Sequence, residues 1–168
     1  MKEQLMEYWD IYDKNRQPTG KIHLRGDHFN DGEYYICVEI WVMNSEGNFL
    51  VTKRHPDKVA GSLWEFVGGG TLSGETTLKS AKRELSEEVG ICADESEFIL
   101  LTTHARKNFF QDIYILKKDL PLSAITLQPE ETIDAKWASP EQILSMDREG
   151  IFVSSIAEKF RLYSGLIR

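Results

Sequence analysis

Alternating and continuous runs of apolar residues predict a chain built mainly of β-strands. Seven segments carry this pattern: residues 7–12, 22–25, 33–43, 49–53, 98–103, 109–117 and 133–138. The polar turn at residues 44–47, Asn-Ser-Glu-Gly, separates two of these strands and predicts a β-hairpin. The glycine-rich residues 56–74 and the residues 121–129 lack this periodicity and are interpreted as loops.

A separate pattern, with apolar residues three and four positions apart, predicts an amphipathic helix over residues 76–89. Its apolar stripe consists of Leu78, Ala81, Leu85 and Val89. Gly90 follows directly and is expected to end the helix, because glycine adopts the left-handed conformation of a helix C-terminus at little cost.

Two further helices are predicted in the last third of the chain. Ser139, Pro140 and Gln142 have the spacing of an N-cap, a first helical residue and a capping-box partner. Residues 154–163 follow as the last helix. Many strands with few helices indicate an α/β or α+β fold with a mixed β-sheet.

Length and charge narrow the class of protein. The 168 residues are interpreted as a single domain, in which residues 1–32 are an N-terminal extension with a hairpin. The formal net charge of 20 − 27 = −7 argues against binding to a DNA or RNA duplex and to anionic membranes. Cys37 and Cys92 lack any metal-binding spacing, and neither a signal peptide nor a membrane span is visible. We therefore expect reduced thiols and a cytoplasmic location.

The residues most indicative of chemistry are three glutamates on the first predicted helix. Glu84, Glu87 and Glu88 are spaced i, i+3 and i+4, so they lie on neighbouring helix positions where like charges repel. Carboxylate oxygens are the ligands that Mg²⁺ prefers. Glycines 68–70 precede the helix and let the backbone approach a metal or a phosphate closely. This combination favours metal-assisted phosphoryl chemistry over the alternative of a solvated acidic helix face.

The full spacing from residue 69 to residue 91 matches a known signature. It reads Gly69-x₅-Glu75-x₇-Arg83-Glu84-Leu85-x-Glu87-Glu88-x-Gly90-Ile91. This is the complete Nudix box, and the chain therefore resembles the Nudix hydrolase superfamily. The resemblance implies an α/β/α sandwich with a mixed β-sheet, in which the box folds as a loop, a helix and a second loop.

The resemblance also implies roles for individual residues. Glu84 and Glu88 match the usual ligands of Mg²⁺ or Mn²⁺, Glu87 matches a ligand or base position, and the carbonyl of Gly69 often joins the metal. Arg83 supports the box together with Glu75.

The implied reaction is attack of water on a small-molecule diphosphate, such as a nucleoside diphosphate linked to another moiety. The general base varies within the superfamily. It is either a box glutamate or a later one, for which Glu130 and Glu131 are the candidates.

Four residues outside the box are candidates for substrate binding. Lys53 and Arg54 end a predicted strand with positive charge that suits a phosphate. Trp64 and Phe66 offer rings that suit stacking on a base, although core packing is the commoner role of such residues.

Two alternatives to a hydrolase stay open. The segments 9–13 and 20–26 resemble the leader of a Nudix branch similar to isopentenyl diphosphate isomerases, but Cys37 lacks the sequence context of the cysteine that those enzymes use. The second alternative is a non-catalytic nucleotide sensor, which the intact box disfavours. The oligomeric state is also open, and a homodimer is the commonest arrangement.

Overall fold

The computed structural model describes residues 6–168. Its strands are β1 Tyr8–Tyr12, β2 Pro18–Leu24, β3 Tyr35–Met43, β4 Phe49–Arg54, β5 Trp64–Glu65, β6 Val67–Gly70, β7 Phe98–Ala105, β8 Phe109–Lys117 and β9 Thr132–Ala138. Its α-helices are α1 Thr77–Val89, α2 Pro140–Arg148 and α3 Ser154–Tyr163. Short 3₁₀ turns occupy Glu95–Glu97, Leu122–Ala124 and Ser164–Leu166.

The central sheet is mixed, as the sequence predicted. Strand order is β5-β4-β3-β8-β7, while β6 pairs with β3 and β9 pairs with β4. β3 and β8 run parallel along their whole lengths, from Tyr35 beside Phe109 to Met43 beside Lys117. The remaining pairs of this sheet are antiparallel.

Helices cover both faces of this sheet, which confirms the predicted α/β/α sandwich. Val38, Ile40 and Val42 of β3 lie in one apolar cluster with Leu85 and other residues of α1. Trp41, which points to the opposite face, lies in a second cluster with residues of α2 and α3. Successive residues of β3 thus supply both cores, as the period of two in a strand requires.

The predicted hairpin of residues 33–43 and 49–53 forms only next to its turn. The two strands pair at Met43 and Phe49 and then diverge. β6 takes the edge of β3 beyond that point, with Cys37 opposite Gly70 and Ile40 opposite Val67. The interpretation of residues 56–74 as a loop is therefore wrong in part, because they contain β6 and also β5, which pairs with β4.

Caps set the limits of α1 and α2. The side chain of Thr76 accepts a hydrogen bond from the backbone N of Lys79, and Gly90 ends α1 in the left-handed conformation at φ +70°. The expected capping box of α2 is present, since Ser139 and Gln142 exchange hydrogen bonds at 3.2 and 2.8 Å.

β1 and β2 form the N-terminal hairpin, a separate two-stranded sheet that packs on the start of the box. Both carboxylate oxygens of Asp10 are used there: one accepts from Ser73 Oγ at 2.6 Å and the other from the backbone N of Gly74 at 2.9 Å. The Tyr8 carbonyl accepts from the backbone N of Ser73 at 2.7 Å. Within residues 6–168, no helix has the length and apolar character needed to cross a bilayer.

Candidate active site

Arg83 joins the loop and the helix of the box. Its Nε and Nη2 donate to the two oxygens of Glu75 at 2.9 and 3.1 Å, and Nη2 also donates to the Gly70 carbonyl at 3.0 Å. Its Nη1 donates to Glu84 Oε1 at 2.7 Å and to Glu87 Oε2 at 3.3 Å. A planar guanidinium with several donors can satisfy all these acceptors at once, which a lysine cannot.

Glu75 is held as a carboxylate in this arrangement. Besides Arg83, it accepts hydrogen bonds from Ser80 Oγ at 2.6 Å and from the backbone N of Leu72 at 3.2 Å. Partial burial raises its pKa, but the hydrogen bonds from Arg83 and Ser80 outweigh this effect, and the pKa is lowered overall. Arg83 and Glu75 thus connect the loop of the box to α1.

Glu84 lies at the junction of α1 and β6, with its carboxylate directly against Gly69. Its side chain is 13% exposed. Burial raises its pKa, and the charge of Arg83 beside it opposes this rise. Two of the predicted metal ligands, the Glu84 carboxylate and the backbone of Gly69, are therefore adjacent.

Glu88 lies one helical turn further along α1 and is 6% exposed. Burial raises its pKa well above the usual range, and the negative charges of Glu84 and Glu65 raise it further. Lys58 opposes this rise, while Glu131 adds to it. We refer to Glu65, Glu84, Glu88 and Glu131 as the acidic cluster.

Two members of the acidic cluster come from outside the box. Glu131, a sequence candidate, accepts a short hydrogen bond from Lys58 Nζ. Glu65 was not singled out from the sequence, and it receives Arg54 Nη1 on both carboxylate oxygens at 2.7 and 2.6 Å. The sequence offers one signal for Glu65, since it is the single carboxylate within the otherwise apolar residues 63–67.

The other predicted acidic residues lie further out. The Glu87 side chain is 52% exposed and contacts Arg83. Glu130 is exposed and lines an open groove together with Glu131. Among residues 6–168, no three acidic, histidine or cysteine side chains converge tightly enough to enclose an ion.

The four candidates for substrate binding contact other parts of the protein, and two of them, Phe66 and Arg54, also border cavities. Arg54 is bound to Glu65, and its Nε donates to the Val59 carbonyl at 2.8 Å. Lys53 Nζ lies 6.0 Å from the ring centroid of Trp64. Trp64 is 8% and Phe66 is 2% exposed, and both belong to the apolar cluster under α2 and α3. This placement favours core packing for the two rings.

A cleft that the sequence did not indicate opens beside the glycines of β6. A cavity of about 250 Å³ there is bordered by Gly69, Tyr35 and Trp9, and a second of about 320 Å³ shares Tyr35 with it and extends to Phe109. The Trp9 and Tyr35 rings stack at 4.6 Å, and Tyr35 and Phe109 lie 5.5 Å apart. Only the fold brings together these rings from three strands or their flanks.

The floor of the cleft is polar. Glu39 and Lys159, 2% and 5% exposed, form a buried ion pair. Lys159 Nζ also donates to Gln111 Oε1, and Glu39 Oε1 accepts from Trp41 Nε1 at 2.7 Å. The thiol of Cys37 borders the same cleft, and burial raises its pKa to about 12.

Comparison with known proteins places these features in a family. The profile of the NUDIX domain matches residues 34–156. "Uncharacterized Nudix hydrolase lmo0368" of Listeria monocytogenes is 35% identical over 150 residues, which are 88% of this chain and 89% of the relative. The "CTP pyrophosphohydrolase" of Escherichia coli is 31% identical over 109 residues, which are 65% of this chain and 79% of the relative.

A solved structure has a similar fold. The crystal structure of DR0079 from Deinococcus radiodurans superimposes with a TM-score of 0.81, covering 94% of this chain and 99% of that one at 23% identity. The match of the domain profile, the 35% identical relative and the intact box on α1 agree with one another. The chain therefore belongs to the Nudix hydrolase family.

Proposed function

We propose that the protein is a Mg²⁺-dependent hydrolase that cleaves the pyrophosphate bond of a nucleoside diphosphate linked to another moiety, or of a related organic diphosphate. The observation that carries this proposal is the burial of Glu88 within range of the charges of Glu84, Glu65 and Glu131, of which Glu65 borders the cleft. Three cations, Arg83, Arg54 and Lys58, pair with members of this cluster of four carboxylates. A buried carboxylate in excess of the cations is costly, and such costs concentrate at functional sites. The Escherichia coli relative is named a pyrophosphohydrolase, which supports a pyrophosphate bond as the bond that is cleaved.

The donors present suit Mg²⁺ or Mn²⁺, which Nudix enzymes generally use. Glu84, Glu88 and the Gly69 carbonyl are the groups that would hold the ion, since they are hard oxygen donors at one junction of β6 and α1. The repulsion that raises the pKa of Glu88 is what a bound cation would relieve. When bound, the ion supplies polarisation of phosphate oxygens and activation of water.

The remaining acidic residues are suited to proton transfer. The attacking water must lose a proton to a base within about 3 Å, directly or through another water. Glu131, whose side chain is 32% exposed beside the open groove, is the candidate outside the box. Glu87, half exposed on α1, is the candidate within it. Lys58 holds Glu131 in place through its ammonium group.

A substrate panel tests the function. The protein is incubated with nucleotide sugars, dinucleoside polyphosphates, nucleoside triphosphates and isoprenoid diphosphates, with Mg²⁺ or with EDTA, and phosphate-containing products are quantified. We expect Mg²⁺-dependent cleavage of at least one class and its loss in Glu88→Gln. Glu46→Gln, which changes an exposed turn carboxylate, is the matched control and should keep wild-type turnover. Cleavage that is absent from every class, or is equal in Glu88→Gln, would refute the proposal.

The same panel separates the two candidate bases. Loss of the base lowers kcat more than it changes the dependence on Mg²⁺ concentration, whereas loss of a metal ligand shifts that dependence. Glu131→Gln and Glu87→Gln are therefore compared in Mg²⁺ titrations at saturating substrate.

A cysteine-based isomerase has no support in the geometry. The Cys37 thiol is buried, its Sγ lies 3.7 Å from the Phe110 carbonyl, and its pKa of about 12 keeps it protonated. Conversion of isopentenyl diphosphate to its isomer, lost in Cys37→Ala, would reverse this assessment.

A further inference from the structure

Two openings flank the acidic cluster, and one residue borders both. The larger is a groove of about 1090 Å³ that Lys58 and Glu131 border, and the smaller is the cavity of about 250 Å³ beside Gly69 and Glu65. Among the residues that the structure describes, Arg25 alone borders these two openings together. A diphosphate that joins two moieties, one in each opening, would pass this residue.

Arg25 follows β2 directly, at the open end of the N-terminal hairpin. Its backbone N donates to the Glu7 carbonyl at 2.8 Å, and its Nη1 lies 3.0 Å from both carboxylate oxygens of Glu7. The two side chains are 57% and 36% exposed, so this ion pair is screened by water and contributes little to stability. A phosphate group of a ligand can therefore replace Glu7 as the partner of Arg25 at a small cost in free energy.

Arg25 borders the same cavity as Tyr35 and Gly69. The charge of Arg25 reaches Tyr35, where it opposes the effect of burial, which raises the pKa of that phenol to about 12. Arg25 thus faces the same cavity as the aromatic wall of the cleft and as the glycine that contacts Glu84.

Three other cations near these openings are paired with acidic residues of the protein. Arg54 binds Glu65, Lys159 binds Glu39, and Lys58 binds Glu131. Glu65 and Glu39 are buried, so removing Arg54 or Lys159 would leave a carboxylate with little solvent and no counter-charge. Arg25 and Arg106 both pair with exposed carboxylates, but Arg25 is the one that borders the groove and the cavity beside Gly69.

We propose that Arg25 of the N-terminal hairpin binds the substrate's diphosphate where it passes from one opening to the other. This inference rests on the proposed pyrophosphohydrolase function and adds the hairpin to the site. A guanidinium presents paired N–H donors that match two phosphate oxygens, whereas an ammonium offers a point charge. The hairpin is also held against the box by Asp10, so Arg25 is positioned relative to Gly69 and Glu84.

The experiment compares wild type with Arg25→Ala, Arg25→Lys and Lys14→Ala. Lys14 is an exposed cation in the turn at the far end of the same hairpin, and it borders neither opening. Two quantities are measured: the Kd for inorganic pyrophosphate by calorimetry in Mg²⁺, and kcat and KM for a substrate from the panel.

We expect Arg25→Ala to raise the Kd and KM by roughly 10- to 100-fold, the effect of losing a charged hydrogen-bond pair. Arg25→Lys should fall between Arg25→Ala and wild type, and Lys14→Ala should match wild type. Equal Kd values for wild type and Arg25→Ala would overturn the assignment, and so would an equal loss in Lys14→Ala.

Failure of the function and failure of this assignment give different results. A wild type that cleaves no diphosphate refutes the hydrolase proposal, while the pyrophosphate titration still decides whether Arg25 binds phosphate. A wild type that cleaves its substrate with an unchanged KM in Arg25→Ala refutes the assignment alone. Circular dichroism of each variant excludes unfolding as the cause of lost binding, and Arg25→Lys keeps the test valid where Arg25→Ala does not fold.

Discussion

A Cβ placed on Gly69 would lie 2.2 Å from Oε1 of Glu84, closer than any real contact of a Cβ. The other near atoms are Cδ and Oε2 of the same side chain, at 2.4 and 2.8 Å. The absence of a side chain at Gly69 therefore lets the carboxylate of α1 touch the backbone of β6. The box requires glycine here because any side chain would clash with Glu84. The backbone conformation is not the reason, since the φ of Gly69 lies outside the left-handed region.

Gly69→Ala should lower kcat/KM by about 100-fold, because a displacement of about 1 Å in a reacting group has that effect. The free energy of unfolding should change much less, because the atoms to be moved are the end of a flexible side chain. Steady-state kinetics and urea unfolding measure the two quantities.

Gly165→Ala is the control for that substitution, since a Cβ there meets nothing within 4 Å. It should leave both quantities unchanged. A Gly69→Ala protein with wild-type kinetics would show that the position of Glu84 is unimportant for turnover.

Glu88→Gln should stabilise the metal-free protein at neutral pH. Burial and the charges of Glu84 and Glu65 raise the pKa of Glu88 in the folded chain above its ordinary value of 4.5. Between pH 4.5 and the raised pKa, the folded state holds a proton on Glu88 that the unfolded chain has released. The free energy of unfolding therefore falls as the pH rises through this range. Urea unfolding in EDTA from pH 4.5 to pH 8 should show this fall in wild type and a smaller one in Glu88→Gln.

Addition of Mg²⁺ gives the complementary result. A ligand that binds only the folded state raises its stability by RT ln(1 + [L]/Kd). Mg²⁺ should therefore stabilise wild type at pH 8 and stabilise Glu88→Gln far less. Glu46→Gln, which changes an exposed turn carboxylate, is the control for the pH dependence and should retain the wild-type slope in EDTA.

Arg83→Lys should destabilise the protein by about 1–3 kcal/mol, because a lysine leaves partly buried acceptors of Glu75 and Gly70 without donors. Since the pKa of Glu75 is lowered by the hydrogen bonds from Arg83 and Ser80, which outweigh the effect of burial, its contribution is present above its ordinary pKa of 4.5. That contribution should be lost as the pH falls from 4.5 through the lowered pKa of Glu75 in the folded protein. Unfolding at pH 3.5 and pH 7 compares the two proteins, and an equal difference at both would contradict this account.

The sequence predicted the elements whose cause is local. The helix predicted at residues 76–89 lies within one residue of α1, because its apolar stripe and the stop at Gly90 act within a few positions. The capping box of α2 at Ser139 was read in the same way. The mixed sheet followed from the number of strands, whereas their pairing did not.

The parts that were missed depend on contacts between distant residues. Glu65 joins the acidic cluster only because β5 pairs with β4, which also brings Arg54 to its carboxylate. β6 was hidden because glycines carry no strand periodicity, and its place in the sheet comes from pairing with β3. The cleft likewise needs Tyr35 beside Phe109, a parallel register that no local pattern encodes.

Lys159→Met should destabilise the protein by about 3–5 kcal/mol, since it leaves the carboxylate of Glu39 buried without its cation. The double variant Glu39→Gln/Lys159→Met should recover most of this loss, because a neutral amide at residue 39 can still accept from Trp41 Nε1. Urea unfolding of wild type, both single variants and the double variant completes the cycle. Additive losses would mean that Glu39 and Lys159 are not energetically coupled. The contribution of Lys159 to stability would then come from Gln111 and its other neighbours.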